Sequence, residues 1–283
     1  MAVRLYNVGM KTICFLSDFG LSDDFVGTCK GVISRISPGA NVIDLTHSVP
    51  GFAVEAGAEI LEHATRYMPT DCVFLAVVDP GVGTERRGMA LRTNDGAILV
   101  GPDNGLLIPA AESLGGVAEA VLLKNPEYWI HPVSNTFHGR DVFAPAAAHL
   151  AAGVDLSELG ESISLDSLTT LSLPDVKQPP GGELDARIID VDRFGNARLS
   201  VRQSESGLRF EDILKLDAGD GTMLVRYVET FGMAQTGELI LVPDSHWRLS
   251  LSINKGNAAQ ALALKVGGRV SLTPHQTTAD SGA

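Results

Sequence analysis

Four short stretches set a carboxylate within two residues of glycine or proline: SDFG (17–20), VDPGVG (78–83), GPDNG (101–105) and HGRD (138–141). Such carboxylates can take a proton or ligate a cation, and the neighbouring Arg86, Arg140 and His138 can stabilise an anion or move a proton. The first three close apolar, strand-like runs, and in open α/β sheets ligands bind beyond the carboxyl ends of the strands. Taken singly, each reads more readily as turn chemistry, since Asp next to Gly or Pro is what turns require.

VDPGVGTERR (78–87) is the most informative of these segments. Pro80 holds Asp79 extended and Gly81 permits a tight turn, which puts the Asp79 carboxylate at the lip of a strand. Arg86, seven residues on, can fold back toward it; Arg87 is adjacent, and one of the two is read as a solvated surface charge, Arg86 being preferred for the site by its offset. His138, in SNTFHGRD (134–141), precedes a helical pattern, FAPAAAHLAA (143–152). A lone His in such a loop is usually structural, so its case rests on the company of the other loops. Acidic loops with a His also suit a Mg²⁺, Mn²⁺ or Zn²⁺ hydrolase. Against that, no HxH or HExxH spacing occurs, and Arg86 and Arg140 would compete with a cation; no metal site is expected. GxGxxG, the P-loop and GxSxG are also missing, so dinucleotide, NTP and serine-hydrolase chemistry has no motif behind it.

In the second half, DVDRFGNARLS (190–200) sets Asp192, Phe194 and Asn196 at alternate positions. On an extended segment they would project to one side and offer a carboxylate, an aromatic face and an amide, suited to an ammonium, a flat base and a base edge. The alternative is a hairpin turn with one core Phe. PDSHWRLSLSINKGNAA (243–259) adds Ser245 and His246 beside Trp247, in a loop that leads to a strand and a helix N-terminus.

The elements that must position these residues follow from periodicity. TICFLS (12–17), NVIDLT (41–46), VFLAVVD (73–79), GMALRT (88–93) and AILVG (97–101) read as strands. Between them, Phe25, Cys29, Val32, Ile33 and Ile36 recur at helical spacing behind Ser22 as N-cap, and Val54, Ala58, Leu61, Thr65 and Met68 mark a second helix. The alternation predicts a mostly parallel sheet with flanking helices over 11–175. Paired prolines then paired glycines in PDVKQPPGGE (174–183) break the pattern and place a linker at 176–183. Short strands at 186–191, 197–201, 213–216, 223–228, 238–242 and 249–253 predict a smaller β-barrel or sandwich domain over 184–273, with a polar, disordered tail at 274–283.

At 283 residues the chain can hold one large or two moderate domains. No run approaches the ~18 apolar residues of a membrane span, and the N-terminus does not read as a signal peptide, so a cytoplasmic protein without membrane partners is expected. The net charge of -12, with no basic run, argues against nucleic acid as a partner. Cys14, Cys29 and Cys72 lie among apolar neighbours and read as buried free thiols.

SDFG…DDFVG, VDPGVGTERR, GPDNGLL, NTFHGRDVFAPAAA and DRFGN occur in order, and over residues 11 to 272 the chain resembles the S-adenosyl-L-methionine (SAM) hydroxide adenosyltransferase family, relatives of fluorinase and chlorinase. The resemblance implies an N-terminal α/β domain, a C-terminal β-barrel-like domain and a homotrimer with SAM bound at a subunit interface. It implies that SAM is the substrate, with no cofactor, and that SAM plus water give adenosine and L-methionine. Asp79, Arg86 and His138 match the family's water-handling residues. Asp18 matches the carboxylate on the ribose diol, and Phe52 an aromatic near the substrate. Asp192 matches the ligand of the methionine ammonium, Phe194 and Asn196 the adenine contacts, and Ser245 with the His246 backbone the carboxylate pocket. Halide-using relatives carry Tyr where this chain has Asp79, and a carboxylate there would repel halide yet accept a proton from water. The competing expectations are a SAM- or adenosine-binding regulator and a metal-dependent hydrolase of a nucleotide-like substrate.

Overall fold

The computed structural model describes residues 11–171, 182–219 and 221–275. It divides into two compact units, Met1–Ser172 and Leu173–Ala283. The linker expected at 176–183 lies outside the described residues except for Gly182 and Glu183.

The first unit is a six-stranded mixed sheet. Its strands are β1 (Ile13–Ser17), β2 (Val42–Thr46), β3 (Val73–Val77), β4 (Gly88–Thr93), β5 (Ile98–Pro102) and β6 (Val117–Leu122), in spatial order β2-β1-β3-β5-β4-β6. β1 pairs in parallel with β2 and β3, and β3 with β5, whereas β4 runs antiparallel to both neighbours. β1 and β3 are buried throughout, as expected of strands covered on both faces. Their alternate residues feed two cores. Ile13, Phe15, Val73 and Leu75 pack with helix α1 (Phe25–Ile36) and with the last helix of the unit, α4 (Ala144–Ala151). Cys14, Leu16, Phe74 and Ala76 pack with α2 (Val54–Thr65) and α3 (Ile108–Ser113). All three cysteines are buried free thiols, as read from their neighbours.

One local expectation needs correcting and another extending. The N-cap of α1 is Asp24, not Ser22; the Thr28 hydroxyl donates to the Asp24 carboxylate at 3.0 Å, so the side chain binds the first turn through Thr28 instead of a backbone N–H. The helix read at 143–152 is preceded by a π-helical turn, Gly139–Phe143. Pro145 has no N–H to give the Asp141 carbonyl four residues back, and that carbonyl instead accepts the Ile130 N–H at 2.9 Å. The widened turn thereby ties the loop before His138 to the helix after it.

The second unit is a closed seven-stranded barrel, which settles the choice between barrel and sandwich. Its strands are β7 (Leu184–Val191), β8 (Ala197–Arg202), β9 (Ile213–Asp217), β10 (Thr222–Tyr227), β11 (Leu239–Pro243), β12 (Arg248–Ile253) and β13 (Arg269–Pro274), in order β10-β11-β12-β8-β7-β13-β9. Ala197, Leu199 and Val201 of β8 are buried in the barrel core while the residues between them are half-buried, the period of two that strands impose. Pro274, placed in the tail by the sequence reading, closes β13 opposite Leu214; residues from 276 onward lie outside the described chain. A one-turn helix α5 (Ala258–Ala261) follows β12.

Candidate active site

Asp79 lies two residues past the end of β3, at the carboxyl edge of the sheet. The loop after it is shaped by its own side chains: Thr84 Oγ1 donates to the Gly81 carbonyl at 2.7 Å and accepts the Arg86 N–H at 3.3 Å. The turn returns Arg86 to Asp79. Arg86 Nε donates to Asp79 Oδ1 at 3.0 Å and Nη2 to Oδ2 at 2.6 Å, a bidentate pair. The two side chains are only 8% and 6% exposed, so little water screens their attraction.

Gly83 brings the second loop to this pair. It sits at φ +75°, and a Cβ there would lie 2.3 Å from the Asn135 carbonyl oxygen, so only glycine lets the 79–87 loop touch the 134–138 loop. Arg86 Nη2 then reaches His138 Nδ1 at 3.1 Å. A guanidinium can only donate, so Nδ1 accepts and the ring proton resides on Nε2. The Arg86 guanidinium also lies over the Phe143 ring, 5.2 Å from its centroid. Burial pushes the Asp79 carboxyl above the usual carboxylate range despite the Arg86 charge. Burial, and then the Arg86 charge, pull His138 below the usual imidazole range. Both shifts favour the less charged form, as a partly dry site demands.

Neither arginine is the solvated charge expected of one of them, since Arg87 is paired as well. Its Nε donates to the buried Asp103 at 2.7 Å, and its Nη1 to Ser167 Oγ at 3.3 Å. Asp103 Oδ1 also takes the Thr169 N–H at 2.9 Å. The GPDNG loop is therefore a brace: its Asn104 Nδ2 donates to the Val78 carbonyl at 2.9 Å, directly behind Asp79. Asp141 of HGRD is likewise occupied, by Arg140 and the Ser134 N–H.

Asp18, one residue past β1, accepts the Phe52 N–H at 2.9 Å. Phe52 is 75% exposed at φ +66°, an uncommon conformation for a bulky residue. The structure thus joins Asp18 with Phe52, and Asp79 with Arg86 and His138, each at loops that follow sheet strands.

In the barrel unit, Asp192, Phe194 and Asn196 are not on an extended segment but in the tight turn between β7 and β8. Gly195 sits at φ +83°, and a Cβ there would lie 2.0 Å from Asn257 Oδ1, so the turn is seated on the N-cap of α5. Asp192 Oδ1 accepts the N–H groups of Phe194 and Asn196 at 2.8 and 2.9 Å, and Oδ2 the Asn196 amide at 2.8 Å. Phe194 is 60% exposed, with Arg193 over its ring. Ser245 and His246 lie in the β11–β12 turn, where Asp244 Oδ1 accepts the His246 N–H at 2.8 Å. That turn meets the far end of β8, through Gln203 N–H to the Trp247 carbonyl at 2.9 Å. The two turns flank β8, and Arg198 bridges them, its Nη1 donating to Asp190 Oδ2 at 2.9 Å and its Nε to Asp244 Oδ2. Asn257, which the sequence reading passed over, is the residue that links the first of them to α5; its signal was the GNAA run opening a helix.

A mixed α/β unit with a buried carboxylate–guanidinium–imidazole cluster at its sheet edge, followed by a closed β-barrel unit, describes an enzyme scaffold with the equipment to handle a proton. Residues 13–160 match the sequence model of the SAM hydroxide adenosyltransferase N-terminal domain, and residues 186–271 that of the C-terminal domain. The chain belongs to the SAM hydroxide adenosyltransferase family. It is 44% identical over 261 residues to the (R)-S-adenosyl-L-methionine hydrolase of Salinispora tropica, across 92% of this chain and 97% of that one. It is 31% identical to a fluorinase of an Actinoplanes species, across 94% and 98%. A crystal structure of an uncharacterized conserved protein from Thermotoga maritima superposes with a TM-score of 0.85 at 36% identity, over 92% of this chain and 99% of that one.

Proposed function

We propose that the protein hydrolyses SAM by direct attack of water on the ribose C5′ carbon, releasing adenosine and L-methionine. The observation that carries this reading is the buried Asp79–Arg86–His138 cluster in a chain of this family. The water oxygen bonds to C5′ while the C5′–S bond breaks and its electron pair returns to sulfur, leaving a neutral thioether. No general acid is needed for such a leaving group; the requirement is a positioned water that sheds a proton. Asp79 is the base in this scheme, because each of its oxygens keeps a lone pair beyond the one used by Arg86. Neutral His138, with its proton on Nε2, hydrogen-bonds the water, and Arg86 stabilises the developing hydroxide.

Asp18 holds the ribose diol and Phe52 packs near the substrate. On the barrel unit, Asp192 takes the methionine ammonium through Oδ2, Phe194 and Asn196 the adenine, and Ser245 with the His246 backbone the carboxylate. A homotrimer with its site at a subunit interface, located in the cytoplasm, belongs to the same proposal; sedimentation gives the assembly mass. Among the described residues no helix is long and apolar enough to cross a membrane. Nor does any group of three or more His, Cys, Asp or Glu among them gather as a metal site. The fluorinase relatives raise halide as the rival nucleophile, but an anion would meet the Asp79 carboxylate.

The test is incubation of EDTA-treated protein with each sulfonium epimer of SAM in ¹⁸O-water, the relatives being named for the (R) form. Adenosine labelled at its 5′-hydroxyl, plus methionine, is expected. Binding without turnover would instead mark a SAM-binding regulator, and turnover restored only by a divalent ion a metal hydrolase.

The pH dependence has a definite sign. Asp79 must be ionised to accept a proton, and protonated His138 could no longer accept from Arg86, so both losses come on the acid side. We expect kcat to fall as pH drops through an Asp79 pKa displaced upward by burial, and to stay level from neutral pH to about pH 9, below the Arg and far above the His ionisations. Loss of activity on raising the pH from 6 to 8 would show that the imidazolium is the working form.

A further inference from the structure

Ser17, His47 and Asp44 stand in line beneath the Asp18 loop, Ser17 hydrogen-bonded to His47 and the imidazole facing the Asp44 carboxylate. Ser17 Oγ is 2.8 Å from His47 Nδ1, and His47 Nε2 is 3.1 Å from Asp44 Oδ1. Lys30 Nζ holds the other Asp44 oxygen at 2.6 Å. The Asp44 carboxylate beside Nε2 favours the tautomer with its proton there, although the N–H is not aligned on the oxygen as a hydrogen bond; Nδ1 then accepts and the Ser17 hydroxyl donates. The Ser17 oxygen is then free to accept the Phe19 N–H, at 3.4 Å.

The order Ser, His, Asp is that of a hydrolase nucleophile relay, yet Ser17 is fully buried and His47 is 3% exposed with its ring against Phe15. No substrate carbon can reach that oxygen. What the chain does touch is the pair of segments that bear Asp18 and Phe52. Gly20 N–H donates to the His47 carbonyl at 2.7 Å, Val49 N–H to the Ser17 carbonyl at 3.4 Å, and Phe52 N–H to Asp18 Oδ2 at 2.9 Å. Phe52 is exposed and has a positive φ, a conformation that persists only where the surroundings impose it. The surroundings here are this lacing, with the His47 imidazole at its root.

We infer that Ser17, His47 and Asp44 are positioning residues that hold the Asp18 carboxylate and Phe52 ready for the nucleoside part of the substrate, so that they set affinity and leave the chemical step alone. The inference rests on the reading of Asp18 as the ribose-diol ligand. Ser17→Ala removes one buried oxygen, leaving His47 Nδ1 without a donor. His47→Leu removes both contacts, while His47→Asn keeps an oxygen near Nδ1 that can accept from Ser17. In the full-length protein, Ser17→Ala and His47→Leu are expected to raise KM for SAM, and Kd for adenosine by titration calorimetry, about tenfold, the scale of leaving one buried polar group unpaired. Their kcat should stay within about threefold of wild type, and His47→Asn should recover most of the affinity. Ser17→Ala changes no packing of consequence, so it decides the matter even where His47→Leu does not fold. An unchanged KM in Ser17→Ala, a fall in kcat at constant KM, or equal losses in the His47→Asn and His47→Leu variants would overturn the inference. Failure of the wild type to bind or cleave SAM would instead remove the functional reading on which it stands.

Discussion

An Arg86→Met enzyme is expected to turn over SAM about a thousandfold more slowly than the wild type, within the span seen when a general base or an oxyanion donor is lost. Methionine retains an aliphatic stem against Phe143 but removes all three hydrogen bonds that organise the cluster. Asp79 is then a buried carboxylate with no cation, and burial already pushes its pKa up. Without Arg86 it binds a proton at neutral pH and ceases to be a base, so one substitution silences two residues. The signature is pH rescue: kcat of the variant should climb between pH 7 and 9, where that of the wild type is flat. Arg86→Lys should recover part of the rate, since it returns the charge but not the two-pronged geometry. A variant within tenfold of wild type, or one with no rise in rate at high pH, would show that Asp79 does not depend on Arg86.

What could be read from the sequence was whatever is periodic. β1 and β3 announce themselves as apolar runs, α1 and α2 by spacing of three and four, and the barrel strands by their short, even spacing. The edge strand β6 was not seen because VAEAVL exposes Ala118 and Glu119 and carries no unbroken apolar run. β13 was not seen because RVSLTP ends in proline. The return of Arg86 to Asp79 could be anticipated, since a seven-residue loop with Pro80 and Gly81 has few ways to close. Its reach to His138, 52 positions further on, could not, because it depends on Gly83 meeting a carbonyl of another loop. For a related reason the sequence leaves Asp192 open between an extended segment and a hairpin turn. The same carboxylate serves a turn locally and a ligand by resemblance, and only the φ of Gly195 shows that the turn is present. Buried support such as Asp103 or His47 leaves no periodic trace, since a polar residue in a loop looks alike whether it meets water or a partner.

Arg140→Met is the substitution with the largest expected effect on stability, and its size should depend on pH. Asp141 is fully buried, and its charge is balanced by Arg140 at 2.6 and 2.8 Å and helped by the Ser134 N–H at 2.8 Å. Arg140 itself is about one-third exposed and lies on the Phe137 ring, so its removal leaves the deeper partner stranded. Breaking a buried pair in this direction costs about 3–5 kcal/mol, or roughly 10 °C in the melting temperature of a unit this size. The stranded carboxylate escapes part of that cost by binding a proton, which raises its folded-state pKa above the unfolded value. A raised carboxylate pKa means that the folded state holds the extra proton between the two values, so the stability of the variant falls as pH rises through that window. The gap between Arg140→Met and wild type should therefore be small at pH 5 and full at pH 8. Adding Asp141→Asn to Arg140→Met should close most of the gap at pH 8, because the amide still accepts from Ser134 without a charge to bury. Melting curves at the two pH values decide it; an equal loss at both would mean that Arg140 acts through its packing on Phe137. The consequence for the site follows from the covalent chain. Asp141 lies three residues past His138 and anchors, through the Ser134 N–H, the loop that Gly83 touches, so the balance of this buried charge helps hold the imidazole against Arg86.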